Sequence, residues 1–137
     1  MSAVPASLIK RSVVHLSSGD ILALDSAYKD IVPSPGSGKW IVPLQVAVRL
    51  VNVGSAYAFA TDVHFYYGGS DEFTVPELTP TFEGITDMVG FYTFPDYSRY
   101  GTTVDSGSFA IGSDGAVTSG DGDAYVELLY AVRPVAV

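Results

Sequence analysis

The stretch that decides the fold is Trp40-Ile-Val-Pro-Leu-Gln-Val-Ala-Val-Arg-Leu-Val51. Aliphatic residues recur there at every second position, and the positions between them are mixed in character. A period of two is typical of a β-strand that turns one face toward a core. The stretch therefore predicts a long strand, and the residues expected on its inner face are Val42, Leu44, Val46, Val48 and Leu50.

The rest of the chain repeats this pattern in shorter pieces. A second long strand is predicted near the end of the chain, where Val126, Leu128, Tyr130 and Val132 alternate with other residues. The shorter candidate strands are 11–16, 28–32, 62–67, 91–94 and 108–111. Glycine and proline clusters separate them, and in the string from Pro33 to Lys39 we expect Pro35, Gly36 and Gly38 to shape the turn. Many short strands separated by turns predict an all-β protein, here an antiparallel β-sandwich of jelly-roll type.

Two short helices are predicted between the strands. Ser17 and Asp20 have the spacing of a capping box, in which each side chain accepts a hydrogen bond from the other residue's backbone. Thr79 followed by Pro80 resembles a helix N-cap followed by proline in the first turn. The apolar stripes expected to follow are Ile21, Leu24 and Tyr28 in the first helix, and Phe82, Ile85 and Val89 in the second.

Length and composition predict a single folded unit. A chain of 137 residues has the usual size of one domain, which we place at 11–137 behind an N-terminal arm at 1–10. Hydrophobic residues make up 47% of the chain and charged residues 16%, a composition that excludes disorder. No apolar run reaches the roughly 18 residues of a membrane-spanning helix, and we expect neither a membrane anchor nor an export signal. Without cysteine, the chain forms no disulfide.

Charge argues against one class of partner. The net charge is −8, whereas nucleic-acid binding needs a basic footprint. The charges are unevenly distributed, because residues 1–60 contain five cations and three carboxylates and residues 61–137 contain two cations and twelve carboxylates. If the two halves occupied different surfaces, the molecule would have one face able to meet an acidic neighbour.

A search for catalytic residues gives little. Asp62 and His64 have the spacing that puts two strand residues on one face, but a third partner is missing and a cross-strand hydrogen bond explains His64 as well. The string Gly36-Ser-Gly-Lys39 resembles part of a phosphate-binding loop, yet Pro33 and Trp40 occupy positions where that loop needs glycine and a hydroxyl. We therefore predict that the chain is not an enzyme.

Metal binding is a minor alternative. The stretch from Asp114 to Glu127 offers carboxylates that suit Ca²⁺, with Asp121 and Asp123 two residues apart. It lacks the further ligands of an EF-hand loop, and a turn leading into the last strand explains its glycines and aspartates equally well. No metal ion or other cofactor is predicted.

Aromatic residues are concentrated in the middle of the chain. Tyr66, Tyr97 and Tyr100 adjoin glycine, serine, aspartate or Arg99, where an amphipathic ring suits a contact surface. Contact with another subunit and stacking on a sugar would both use such rings, and a simple combination of core rings and surface tyrosines fits as well.

Two regions resemble a known class of protein. The string Ile31-Val-Pro-Ser-Pro-Gly-Ser-Gly-Lys39, the aliphatic strand ending in Arg49-Leu50, and Gly54-Ser-Ala-Tyr57 form the first region. The second is Gly120-Asp-Gly-Asp123 leading into Val-Glu-Leu-Leu-Tyr130. Together they cover about half the chain and resemble small β-sandwich structural proteins in the particles of tailed bacteriophages.

The resemblance implies a protein of the virion, assembled in the cytoplasm of the bacterial host. The expected role is a capsid decoration or cement protein that binds the head shell, with a tail or fibre module that binds a receptor or carbohydrate as the alternative. The partners implied are further copies of the chain, as a homotrimer, and the major capsid protein or other virion subunits. The residues expected to make these contacts are Arg11, Lys39, Arg49, Tyr97 and Tyr100.

Overall fold

A computed structural model describes residues 8–67, 71–73, 77–94 and 107–134. Within these ranges ten strands and two short helices follow one another along the chain. The elements are β1 (Lys10–Leu16), α1 (Ser18–Leu22), β2 (Lys29–Val32), β3 (Lys39–Val51), β4 (Ala58–Phe59), β5 (Val63–Tyr67), β6 (Asp71–Phe73), α2 (Thr79–Phe82), β7 (Met88–Thr93), β8 (Phe109–Ser113), β9 (Val117–Thr118) and β10 (Asp123–Pro134). The first strand thus begins at the last residue of the expected arm.

The strands form two four-stranded antiparallel sheets and a small ribbon. The first sheet has the order β1-β10-β3-β7, the second has the order β2-β8-β5-β6, and β4 pairs with β9. Outside the ribbon, β1 pairs with β10, β2 with β8, β3 with β7 and β5 with β6, so the strand pairs are nested within one another along the chain. The antiparallel sandwich expected from the sequence is confirmed.

The core lies between the inner faces of the two sheets. Val48 and Val126 are fully buried on the first sheet, and Phe65 and Phe109 on the second. The rings of Phe65 and Phe109 stack with their centroids 4.8 Å apart, and Phe94 packs within 6 Å of both. This aromatic cluster occupies the middle of the sandwich.

Strand β3 keeps its predicted alternation over only part of its length. Val46, Val48 and Leu50 are buried as expected. The register with β10 then shifts, because Gln45 faces Leu129 whereas Pro43 faces Tyr130, which leaves Leu44 as an extra residue. A bulge of this kind reverses which residues point inward. The core position expected for Leu44 is therefore wrong, since Leu44 is only half-buried and Ile41 is fully buried instead.

Helix α1 begins as its sequence predicts. The backbone N–H of Asp20 donates to Ser17 Oγ, and the backbone N–H of Ser17 donates to the Asp20 carboxylate. The capping box is thus confirmed, and it places Ile21 in the core.

Replacing Ser17 tests the contribution of this cap. Ser17→Ala removes the acceptor for the Asp20 N–H, and we expect it to lower the free energy of unfolding by about 1 kcal/mol. Urea unfolding measures the loss. Ser37→Ala, at an exposed turn position, is the matched control, and an equal effect from both variants would contradict the capping role.

Helix α2 differs from the sequence prediction. Its N-cap is Leu78, and Thr79 makes no capping bond, because Thr79 Oγ1 accepts from the backbone N–H of Val63 and donates to Asp62. The helix ends at Phe82, so the expected helical stripe is also wrong: Ile85 is 81% exposed, and Val89 belongs to β7. The glycine at position 84 follows directly after the single turn.

The sequence halves do not form separate surfaces, since β10 pairs with both β1 and β3. Charge is separated along the strands instead. At one end of the sandwich, where β3 ends and β10 begins, lie the segments that carry Asp20, Asp62, Glu83, Asp87, Asp114, Asp121 and Asp123. At the other end, where β3 begins and β10 ends, lie Lys10, Lys39 and Arg133.

Neither described helix has the length or the apolar character needed to cross a membrane.

Candidate functional site

The face of the first sheet that points away from the second sheet is called the outer face below. Alternate residues of its four strands line up in rows across it. One row is His15, Tyr125, Arg49 and Val89, the next is Val13, Glu127, Ala47 and Phe91, and the third is Arg11, Leu129, Gln45 and Thr93. These side chains are exposed or half-buried, so the outer face is open to solvent.

Apolar side chains are exposed at both edges of the outer face. Phe91 on the edge strand β7 is 77% exposed, and its neighbour Val89 is 45% exposed. Val13, on the opposite edge strand β1, is 48% exposed. Beside Phe91 a shallow groove of about 250 Å³ runs past Ala47 and Leu129. Single exposed apolar residues are common, but three of them on one face of a sheet, two of them beside each other on β7, suit a surface that binds another protein.

The charged residues of the outer face balance one another. Arg11 donates to Glu127 over 2.6 Å, and the guanidinium of Arg49 lies 4.8 Å from the centre of the Tyr125 ring. His15 stacks on the same ring, and its Nε2 is 3.9 Å from a carboxylate oxygen of Asp123. The outer face thus carries two arginines and two carboxylates, so it is close to neutral on a chain whose net charge is −8.

The hydrogen bond from Arg11 also changes the titration of its partner. It holds the pKa of Glu127 below its ordinary value, and the positive charge of Arg11 acts in the same direction. The lowered pKa of Glu127 thus reflects its pairing with Arg11 on the exposed face.

The structure brings together two of the residues that sequence analysis selects for partner contact. Arg11 and Arg49 both lie on the outer face, whereas Lys39 lies at the start of β3, beside Lys10 and Arg133. Tyr97 and Tyr100 lie outside the described residues.

The residues expected to shape the loop before β3 lie between β2 and β3. Gly36 and Gly38 have φ angles of 103° and 75°, a region that favours glycine. Pro35 precedes them in an irregular segment. The loop thus turns the chain from the second sheet back to the first and brings Lys39 to the start of β3, at the basic end of the sandwich.

Asp62 and His64 do not form the acid–base pair that their spacing suggests. Asp62 accepts from Thr79 Oγ1 over 3.3 Å. His64 lies in β5 opposite Gly112, almost completely buried. Asp62 therefore serves to hold the start of β5 against α2.

The acidic stretch before β10 joins the two regions that carry the family resemblance. Asp121 accepts hydrogen bonds from the backbone N–H groups of Gly54 and Ser55, both 2.8 Å long. The hydroxyl of Tyr57 donates to the carbonyl of Gly122, and its ring packs against Gly120, where φ is 98° and a side chain would collide with the ring. These contacts lock the turn between β9 and β10.

The other carboxylates of this stretch have separate structural contacts. Asp114 accepts from the hydroxyl of Tyr66 over 3.0 Å, and Glu127 binds Arg11. The part of the chain that the structure describes contains no group of three His, Cys, Asp or Glu side chains arranged to hold a metal ion.

The role of Asp121 predicts a dependence of stability on pH. Its two backbone donors lower the pKa of Asp121 below the ordinary 3.8. A lowered folded-state pKa means that the carboxylate stabilises the fold above about pH 4 and loses this effect as the pH falls through the folded-state value. The difference in unfolding free energy between the wild type and Asp121→Asn should therefore be larger at pH 6 than at pH 2.5. Urea unfolding at both values measures it, with the exposed Asp25→Asn as control, and an equal difference at both values would contradict the role.

Sequence analysis misses the apolar part of the outer face. The segment from Phe91 to Phe94 is predicted to be a strand, but three of its four residues are aromatic, so alternation does not identify the exposed face. Its edge position in the sheet is what exposes Phe91. The contributions of Lys10 and Arg133 to the basic end are also missed, because they lie 123 positions apart in the sequence and meet only through the pairing of β1 with β10.

Comparisons with known proteins give a distant structural likeness. No family model and no curated protein matches the chain. Among solved structures, a chain described as "Capsid of Ralstonia phage GP4" matches over 96% of this chain and 90% of that one, with 14% sequence identity and a TM-score of 0.43. A TM-score of this size does not establish a shared role.

Proposed function

We propose that the chain is a non-enzymatic structural protein of a tailed-phage particle, with the specific role of a capsid decoration protein. The observation that carries the proposal is the outer face of the first sheet. An exposed phenylalanine and two exposed valines lie on a neutral surface of an otherwise acidic molecule. The sequence resemblance supplies the kind of particle, and the outer face supplies a means of attachment.

The distribution of charge supports attachment through this face. A net charge of −8 opposes association between molecules at most orientations. The outer face avoids this repulsion because Arg11 is paired with Glu127 and Arg49 lies on Tyr125. Contact there buries apolar area at little electrostatic cost, which suits docking on the head shell and assembly into a homotrimer.

A purely structural role agrees with how the polar side chains are used. The carboxylates of Asp62, Asp114 and Asp121 accept hydrogen bonds from hydroxyl or backbone groups that hold neighbouring segments. Such contacts fix loops at the acidic end of the sandwich. We include the absence of catalysis in the proposal. The tail or receptor-binding alternative depends on the region from Tyr92 to Tyr100, of which 95–100, with Tyr97 and Tyr100, lie outside the described residues.

Co-sedimentation with phage heads tests the proposal. Purified chain is added to heads and, separately, to tails from a phage whose gene for this chain has been deleted. We expect saturable binding to heads at a fixed ratio to the major capsid protein. Binding to tails alone would favour the tail module, and binding to neither would overturn the proposal.

Charge reversal on the same heads tests the basic contacts. The triple variant Arg11→Glu, Lys39→Glu, Arg49→Glu should lose head binding, because it replaces three cations with carboxylates on a chain that is already acidic. Circular dichroism and urea unfolding check that the variant is folded. Unchanged occupancy by a folded variant would remove these three residues from the docking surface.

A further inference from the structure

A second surface feature lies at the basic end of the sandwich, away from the centre of the outer face. Lys10, Lys39 and Arg133 line one shallow groove of about 330 Å³, together with Leu8, Val132 and Pro134. All three cations are exposed. Three of the seven lysines and arginines of an acidic chain thus meet at one place, and the groove is called the basic notch below.

The basic notch contains a strand edge that its neighbour leaves unpaired. Strand β1 pairs with β10 only as far as Lys10 opposite Tyr130. Strand β10 continues from Ala131 to Pro134, and in the described residues this part pairs with β3 alone. The opposite edge of this part of β10 faces the notch. Leu8 lies there in a helical turn and does not continue β1 along that edge. An extended peptide added at such an edge gains backbone hydrogen bonds.

The three cations and the edge of β10 together indicate what the notch would bind. We infer that the basic notch takes an extended, carboxylate-bearing segment of another protein, which adds to the edge of β10 and brings its acidic side chains to the cations. Side chains alternate along an extended segment, so acidic residues at every second position would lie on the face of Lys10 and Lys39, while Arg133 on the opposite face adds to the positive potential along the edge. Val132 and Leu8 offer apolar contact for the residues between them.

Other occupants fit the notch less well. Residues 1–7, which precede it in the sequence, contain no carboxylate side chain. A nucleic acid would meet three cations in the notch but a net charge of −8 on the whole chain. A peptide needs only the contacts within the notch. It also forms backbone hydrogen bonds with the edge of β10, which a phosphate backbone does not.

An NMR titration of the full chain tests this inference independently of any phage particle. The probe is a six-residue peptide, blocked at both ends, in which glutamate alternates with valine. We expect shifts of backbone amide signals to concentrate at Lys10, Lys39 and Val132, and the affinity to fall as NaCl is raised. The matched probe, with glutamine in place of each glutamate, should bind at least about fivefold more weakly, the loss expected for two or three exposed charge pairs.

Two variants with equal net charge complete the test. Lys39→Gln with Arg133→Gln should weaken binding of the acidic peptide about fivefold. Lys29→Glu changes the net charge equally but leaves the notch intact, and it should bind like the wild type. Equal loss in both variants, equal binding of both peptides, shifts located elsewhere, or tighter binding of a short DNA duplex than of the peptide would each overturn the inference.

Discussion

Phe91→Glu should release the chain from phage heads while leaving it folded. The ring is 77% exposed on β7, so its replacement costs the fold little, but it is the largest apolar group on the outer face. Large aromatic side chains that become buried in an interface often carry much of its binding energy, and a buried carboxylate would add a desolvation penalty. We expect the affinity for heads to fall about 100-fold, measured by quantitative co-sedimentation.

Ile85→Glu is the matched control for this variant, because it introduces the same charge at another exposed site. Ile85 is 81% exposed and lies in the loop between α2 and β7 instead of in the rows of the outer face. The control should bind heads like the wild type. Equal losses in the two variants would show that added negative charge alone weakens binding, and normal binding by Phe91→Glu would remove the outer face from the account.

Phe65→Ala should destabilise the fold far more than truncation of any exposed side chain. Phe65 is fully buried, stacks on Phe109 and packs against Phe94. Truncation loses the transfer free energy of the ring and leaves a cavity between the sheets, for a cost of about 3–5 kcal/mol. In urea this corresponds to a midpoint about 2 M lower.

Phe91→Ala is the control for Phe65→Ala, because it removes the same atoms from an exposed site. We expect it to change the unfolding free energy by less than about 0.5 kcal/mol. Together the two variants separate the aromatic residues that hold the sandwich from the one that the outer face presents. A large loss of stability from Phe91→Ala would mean that its ring packs within the fold.

Local sequence patterns predict most of the architecture. The alternation in β3 and β10 and the capping box at Ser17 depend on neighbours within a few residues, and both appear in the structure. The prediction of Thr79 as the cap of α2 fails for a tertiary reason, although the short helix itself forms. Thr79 has the local character of a cap, but its hydroxyl is taken by Val63 and Asp62 from another part of the chain.

The bulge in β3 shows a second limit of local patterns. The aliphatic run around Leu44 gives no sign of an extra residue, because Ile41, Val42 and Leu44 are all apolar and either phase of alternation fits them. The shift arises from the register with β10. The core role of Ile41 is therefore settled by pairing between distant strands and not by the sequence of β3.

The candidate site is only partly predictable for the same reason. Charge alone selects Arg11 and Arg49, but their common face follows from the placement of β10 between β1 and β3. The charge imbalance between the two halves of the sequence indicates a polar molecule, yet the separation runs from one end of the strands to the other. Strand pairing decides which charges become neighbours, and the sequence does not show it.

The central claim is that the outer face is covered when the chain is part of a particle. Hydroxyl-radical footprinting with mass spectrometry measures this directly, because it reports the solvent access of individual side chains. We predict that Phe91 and Tyr125 are labelled in the free chain and strongly protected in purified particles, while Ile85 is labelled equally in both. Equal labelling of Phe91 in the free chain and in particles that contain it would contradict the account.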